Sequence, residues 1–187
     1  MNESLLPSRY AKAFYKFAVE KKIDEPVYKA MLNIIGAFES QEGQALSQTI
    51  ANPFISRDDK RRLVMNVSGI DKPDSPQGKA LNDFLSLLFK NNRISELRGI
   101  VYAYADIYRR EHHISRVHVT WAAQPEAEAE KRLVNMIEQR LGDGSMEYSS
   151  SIDPDLIGGF KVAIDNEQLD ASVQNELRQL RQLILSK

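Results

Sequence analysis

Apolar positions along the first ~110 residues recur at three- and four-residue steps, the spacing of one face of a helix. Leu6, Tyr10, Ala13, Phe14, Phe17 and Ala18 mark a first helix, with Pro7 in its first turn, where a missing N–H is harmless. Val27, Met31, Ile34, Ile35 and Phe38 mark a second, from about Glu25 to Glu39. A short third covers Gln44 to Ile50, and Asn52-Pro53 breaks the pattern. Ser56-Arg57-Asp58-Asp59 reads as a capping box opening a fourth, and Ser75-Pro76 opens a fifth that carries Leu81, Phe84, Leu85 and Leu88. Asn91-Asn92 ends it, since Asn accepts the left-handed conformation of a C-cap. A sixth helix places Ile94, Leu97, Val101, Tyr104 and Tyr108 on one stripe, with Ile100 and Ile107 beside it. Short connections favour an antiparallel bundle.

The period changes near residue 115. Val117, Val119 and Trp121 alternate with Arg116, His118 and Thr120, as in a half-buried strand. A helix follows from Pro125 to about Leu141, and Gly142-Asp143-Gly144 turns the chain. Met146, Tyr148, Ser150 and Ile152 alternate as a second strand; Phe160, Val162 and Ile164 form a third. After a tight hairpin-like turn, Val173, Leu177, Leu180 and Ile184 stripe a terminal helix, with Asp170 as its expected N-cap. The expected fold is α+β and mainly α: a six-helix N-terminal bundle, residues 1–113, then a small α/β C-terminal domain, residues 114–187.

Charge sharpens that division. Residues 1–114 hold 17 Lys and Arg against 14 Asp and Glu, a net of +3, and residues 115–187 hold 8 against 12, a net of −4. Neither half is basic enough for a nucleic-acid footprint. No apolar run approaches the ~20 residues that span a bilayer, so no direct membrane insertion is expected. Met1 to Pro7 lacks the basic-then-apolar pattern of a signal peptide. The chain has no cysteine, which rules out disulfides and thiolate metal sites.

Reactive constellations are weak throughout. Gly158-Gly159-Phe160-Lys161 lacks the spacing of a phosphate loop and precedes a strand, so a tight turn or close backbone approach explains the glycines. Adjacent His112 and His113 cannot share a helix face, and His118 lies on a strand, so no metal site is expected. Asp153 and Asp155 flank Pro154 as turn residues. Arg57, Lys60, Arg61 and Arg62 read as a solvated helix face. No catalytic residue and no cofactor is expected. One feature exceeds what a core needs: Leu5, Leu6, Tyr10, Ala11, Ala13, Phe14, Tyr15, Phe17, Ala18 and Val19 spread widely around helix one, as in a docking groove for another helix.

Three blocks in order resemble the delta-subunit family of the ATP synthase, the bacterial counterpart of the mitochondrial oligomycin-sensitivity-conferring protein. They are Arg9-Tyr10-Ala11-Lys12-Ala13-Phe14 with Phe17-Ala18, Asn82 to Ile94 followed by Leu97, and Asp153 to Val173. The last is the strongest, with Asp153, Leu156, Gly158, Gly159, Asp170 and Ser172 as its signature. Asn92 and Ala171 stand where the family often has Gly. The resemblance implies a non-catalytic stator subunit, peripheral on the cytoplasmic side of a bacterial cell membrane. It implies that the N-terminal helix of an alpha subunit lies between helices one and five, and that the C-terminal domain holds the C-terminal end of the b-subunit stalk. Mapped onto this chain, the groove residues are Tyr10, Ala13, Phe14 and Phe17 on helix one and Leu81, Phe84, Leu87 and Leu88 on helix five. Phe84→Asp is then expected to abolish alpha-peptide binding with the fold intact. A generic helix-binding adaptor is the competing reading.

Overall fold

The computed structural model of the protein describes residues 5–142 and 144–185. The side chains of Leu5, Leu180 and Ile184, and Asp143, lie outside the described residues. The chain is mainly helical with a small four-stranded mixed sheet. It divides into two compact units, one up to Arg109 and the other from Arg110. That division falls within a helix, whereas the hydrophobic period changes between His113 and Ile114.

The first unit contains α1 (Leu5–Glu20), α2 (Asp24–Glu39), α3 (Gly43–Ala51), α4 (Arg57–Val67), α5 (Pro76–Lys90) and α6 (Leu97–Glu111). A single 3₁₀ turn, Ile94–Glu96, leads into α6. Local chemistry sets the boundaries. The Ser56 hydroxyl accepts from the Asp59 N–H at 3.1 Å and donates to the Asp59 carboxylate at 2.7 Å, which stabilises the first turn of α4. Ser75 accepts from the Gly78 N–H at 3.2 Å, and Pro76 fills the first helical position of α5. Beyond α5, Asn92 adopts φ 54°, the left-handed conformation expected of it. Ser56→Ala removes one cap and is expected to cost about 1 kcal/mol of stability in denaturant melts.

Val27, Met31, Ile34, Ile35 and Phe38 of α2 are all buried, as their spacing requires. α2 touches α1, α3, α4 and α5, so it forms the centre of this unit's core. Aromatic rings continue that core. Phe14 stacks on Phe84 at 4.2 Å and meets Tyr104 at 5.6 Å, while Tyr28 stacks on Tyr108 at 3.9 Å. Tyr15 packs edge-on against both Tyr104 and Tyr108, which joins the two stacks. Burial pushes the Tyr104 hydroxyl well above the ordinary tyrosine range.

The second unit runs β1 (Ile114–Trp121), α7 (Ala127–Leu141), β2 (Ser145–Ile152), β3 (Gly159–Ile164), β4 (Glu167–Ser172) and α8 (Val173–Leu185). The sheet order is β2-β1-β3-β4. β1 and β2 are parallel, and the other pairs are antiparallel. A parallel pair needs a crossover, which α7 supplies. Leu133 and Ile137 of α7 pack on Val117, Val119, Trp121 and Val162, one face of the sheet. At one flank of α7 the Tyr148 hydroxyl donates to Glu130 at 2.7 Å.

Two expectations are corrected here. The sequence pattern has three strands, and the structure adds a fourth, β4. Glu167–Ser172 carries only Leu169 and Ala171 in alternation and no β-branched residue, so its local signal is weak. Pairing decides it: the register runs from Ile164↔Glu167 to Gly159↔Ser172. The turn is closed by Asp165 at φ 49°, whose carboxylate accepts from the Arg116 N–H at 2.9 Å. Asp170 therefore lies in a strand and is not the N-cap of α8. Ser172 takes that role, its hydroxyl accepting from the Asn175 N–H at 3.3 Å.

Candidate functional site

Helices α1 and α5 pair along an antiparallel seam. Tyr10 meets Asn91, whose amide donates to the tyrosine oxygen at 3.2 Å, and four residues further along α1 Phe14 stacks on Phe84. The eight groove candidates divide. Phe14 and Phe84 are only 4% and 6% exposed, and Leu81 and Leu88 are buried with them. Phe14 and Phe84 meet between the helices, and Leu81 and Leu88 belong to the core of the unit. Ala13 is exposed, Phe17 is 39% exposed, Leu87 is 46% exposed, and Tyr10 is half-buried. The antiparallel arrangement puts Phe17 and Leu87 toward opposite ends of the seam, above the stacked rings.

The expectation that Phe84→Asp leaves the fold intact does not hold. A carboxylate there would lie against the Phe14 ring in a site closed to water. Periodicity cannot separate Phe14 from Phe17. They are three residues apart on one broad apolar face, and the positions of α5 and α6 distinguish them.

The C-terminal signature makes a corner. The Asp153 carboxylate accepts from the Asp155 N–H at 3.0 Å, and the Asp153 N–H donates to the Trp121 carbonyl at 2.8 Å. Leu156 is buried beneath this turn. The Gly158 carbonyl accepts from the Val173 N–H at 3.1 Å, joining the loop to the start of α8. Gly159 sits at φ +79°, and a Cβ there would come within 2.3 Å of the Ala171 carbonyl oxygen. Only glycine fits that approach. The Asp170 carboxyl is held below its ordinary range by the Ser172 hydroxyl and by the Ser172 backbone N–H, which donates to it at 3.0 Å. Ser172 itself is buried. Asp153, Leu156, Gly158, Gly159, Asp170 and Ser172 thus fix the point from which α8 leaves the sheet.

The second unit leaves several apolar side chains exposed. Leu169 is paired in register with the core residue Val162 and so shares the face that α7 packs on, yet it is exposed. Val173 and Leu177, one turn apart on α8, are exposed, as are Ile157 in the corner loop and Met136 on α7. The pattern did not single out Leu169 or Met136. It also missed Phe54, 94% exposed in a turn where its N–H donates to the Asn52 side chain at 2.9 Å.

The other residues singled out by the sequence take structural roles. His118 lies on the open face of the sheet between Ser149 and Ser151, its ring nitrogens 2.9 and 3.0 Å from their hydroxyls. The basic run is not a uniformly solvated face: Arg57 and Arg62 are exposed, Arg61 pairs with Asp58 at 3.5 Å and lies over the Phe89 ring, and Lys60 is buried.

Contiguous exposed apolar patches mark surfaces that dock onto other molecules, whereas apolar side chains scattered singly do not. The chain matches the family described as ATP synthase delta (OSCP) subunit over residues 6–184, and it belongs to that family. It is similar to the ATP synthase subunit delta of Parabacteroides distasonis, 29% identical over 97% of this chain and 96% of that one. It is equally similar, at 29% over 100% of this chain and 97% of the relative, to the ATP synthase subunit delta of Bacteroides thetaiotaomicron. Its fold resembles a chain in the cryo-EM structure of the Toxoplasma gondii mitochondrial ATP synthase hexamer. That likeness has a TM-score of 0.69 at 20% identity, covering 96% of this chain and 97% of the other.

Proposed function

We propose that the chain is a non-catalytic peripheral-stalk subunit of the rotary proton-translocating ATP synthase. In this reading the first unit, a six-helix bundle of residues 1–113, holds the N-terminal helix of an alpha subunit along the α1–α5 seam. The second, residues 114–187, holds the C-terminal end of the b-subunit stalk. The subunit is peripheral, on the cytoplasmic side of a bacterial membrane; among the described residues no helix is long and apolar enough to cross a membrane.

The observation that carries this reading is the seam itself, in a chain that matches the family almost end to end. Phe17 and Leu87 stand exposed over the Phe14–Phe84 stack, where an amphipathic helix would cover them. Leu169, Val173 and Leu177 offer a second apolar surface, on the other unit, for the stalk. Rotation of a central shaft does work on the catalytic head only if the head cannot turn with it. A clamp that resists torque needs apolar burial, worth ~25 cal/mol per Å² before ordering costs, and slow dissociation. It needs no reactive group.

The test is the double variant Phe17→Asp with Leu87→Asp. Both side chains are partly in water already, so the melting temperature should fall by no more than a few degrees. Affinity for a peptide from the N-terminus of the cognate alpha subunit should fall at least ~100-fold, since two apolar anchors are lost and two carboxylates are desolvated. Unchanged affinity in calorimetric titration would take the partner helix off this seam.

A further inference from the structure

We propose that the α1–α5 seam selects its partner by charge as well as by apolar fit: the helix it takes carries carboxylates on both flanks of its apolar stripe. This rests on the docking reading above and specifies the chemistry of the partner.

Helical geometry places cations along both rims. On α1, Arg9, Ala13 and Lys16 follow at steps of four and three, one row beside the row that carries Tyr10 and Phe17. Just past α1, the Lys21 ammonium lies 5.9 Å from the centre of the Phe17 ring. On α5, Lys79, Leu87 and Lys90 share a row. Because Tyr10 meets Asn91 while Phe14 meets Phe84, Arg9 and Lys90 fall toward one end of the seam. Lys21 and Lys79 fall toward the other.

All five cations are exposed, and no ion pair among the described residues engages any of them. The same rows hold only two carboxylates, Glu20 and Asp83. Residues 1–114 hold 17 Lys and Arg against 14 Asp and Glu, so five cations against two carboxylates along the rims exceed the balance of that part of the chain. A helix laid over Phe17 and Leu87 brings its flanking positions against these cations. Carboxylates there gain complementary pairs and are steered into register; lysines there meet like charge as the seam desolvates.

Calorimetric titration of the full chain tests this with two peptides. One is the N-terminal segment of the cognate alpha subunit, and the other is the same segment with every Asp and Glu replaced by its amide. The amide form should bind about tenfold more weakly at low salt, with the gap closing as screening shortens the Debye length to about 3 Å near 1 M salt. Independently, the variant Arg9→Glu with Lys90→Glu should weaken the unmodified peptide about tenfold at low salt, with the circular dichroism spectrum unchanged. Equal binding of the two peptides, or of variant and parent, overturns the charge inference and leaves the docking reading in place. If neither peptide binds the folded chain, the docking reading itself falls.

Discussion

Phe84→Ala should destabilise the first unit by about 3–5 kcal/mol, the cost of deleting a buried aromatic ring and leaving a cavity. Phe84 stacks flat on Phe14, and Phe14 continues to Tyr104, so the loss would spread through the rings that join α1, α5 and α6. Phe84→Asp should cost more, because a carboxylate buried without a partner is added to the cavity. In urea melts both variants should show a lower midpoint with a similar slope. Any loss of partner binding that they cause then reports unfolding and not contact. An unfolding free energy for Phe84→Ala within ~0.5 kcal/mol of the parent would mean that the ring is not core.

Gly159→Ala should be the most damaging small substitution in the second unit. The backbone at φ +79° is strained for any L side chain, at a cost of about 1–3 kcal/mol. The added methyl would also sit 2.3 Å from the Ala171 carbonyl oxygen and 3.0 Å from the Ser172 Cα, both backbone atoms that cannot rotate away. Relief requires β4 to part from β3 where the two strands meet α8. Amide hydrogen exchange should therefore show lost protection in Phe160, Val162 and Ala171. Protection unchanged from the parent would contradict the assigned conformation of Gly159. Gly158→Ala should be milder, since its nearest neighbour is the Val173 side chain, which can shift.

Most of the first unit was legible in the sequence because independent signals agree there. The three- and four-residue spacing of Val27, Met31, Ile34, Ile35 and Phe38 fixes one buried face. Ser56 and Ser75 then fix where helices begin, each accepting from an N–H three residues on. What remained hidden was decided by long-range packing. Whether Phe14 or Phe17 is core depends on where α5 and α6 lie, and both are more than 50 residues away along the chain. Glu167–Ser172 becomes a strand because β3 offers it an edge, and that moves the cap of α8 from Asp170 to Ser172. Leu87 and Leu88 show the same limit: adjacent leucines on one helix, one 46% exposed and the other fully buried. The C-terminal signature was recognisable as a pattern before its role was visible. In the structure its glycines and aspartates hold a corner, and the exposed side chains of Val173 and Leu177 follow directly from it on α8.

In its proposed role this chain fastens the catalytic head of a rotary ATP synthase so that shaft rotation and proton movement stay coupled. The most direct measurement is ATP-driven proton pumping in vesicles that carry the complex from which this chain alone has been removed, before and after the purified chain is added back. The depleted complex should still hydrolyse ATP but not acidify the vesicles. Added chain should restore pumping, and the Phe17→Asp, Leu87→Asp variant should restore far less. Full pumping by the depleted complex, or pumping that the purified chain cannot restore to an otherwise intact complex, would contradict it.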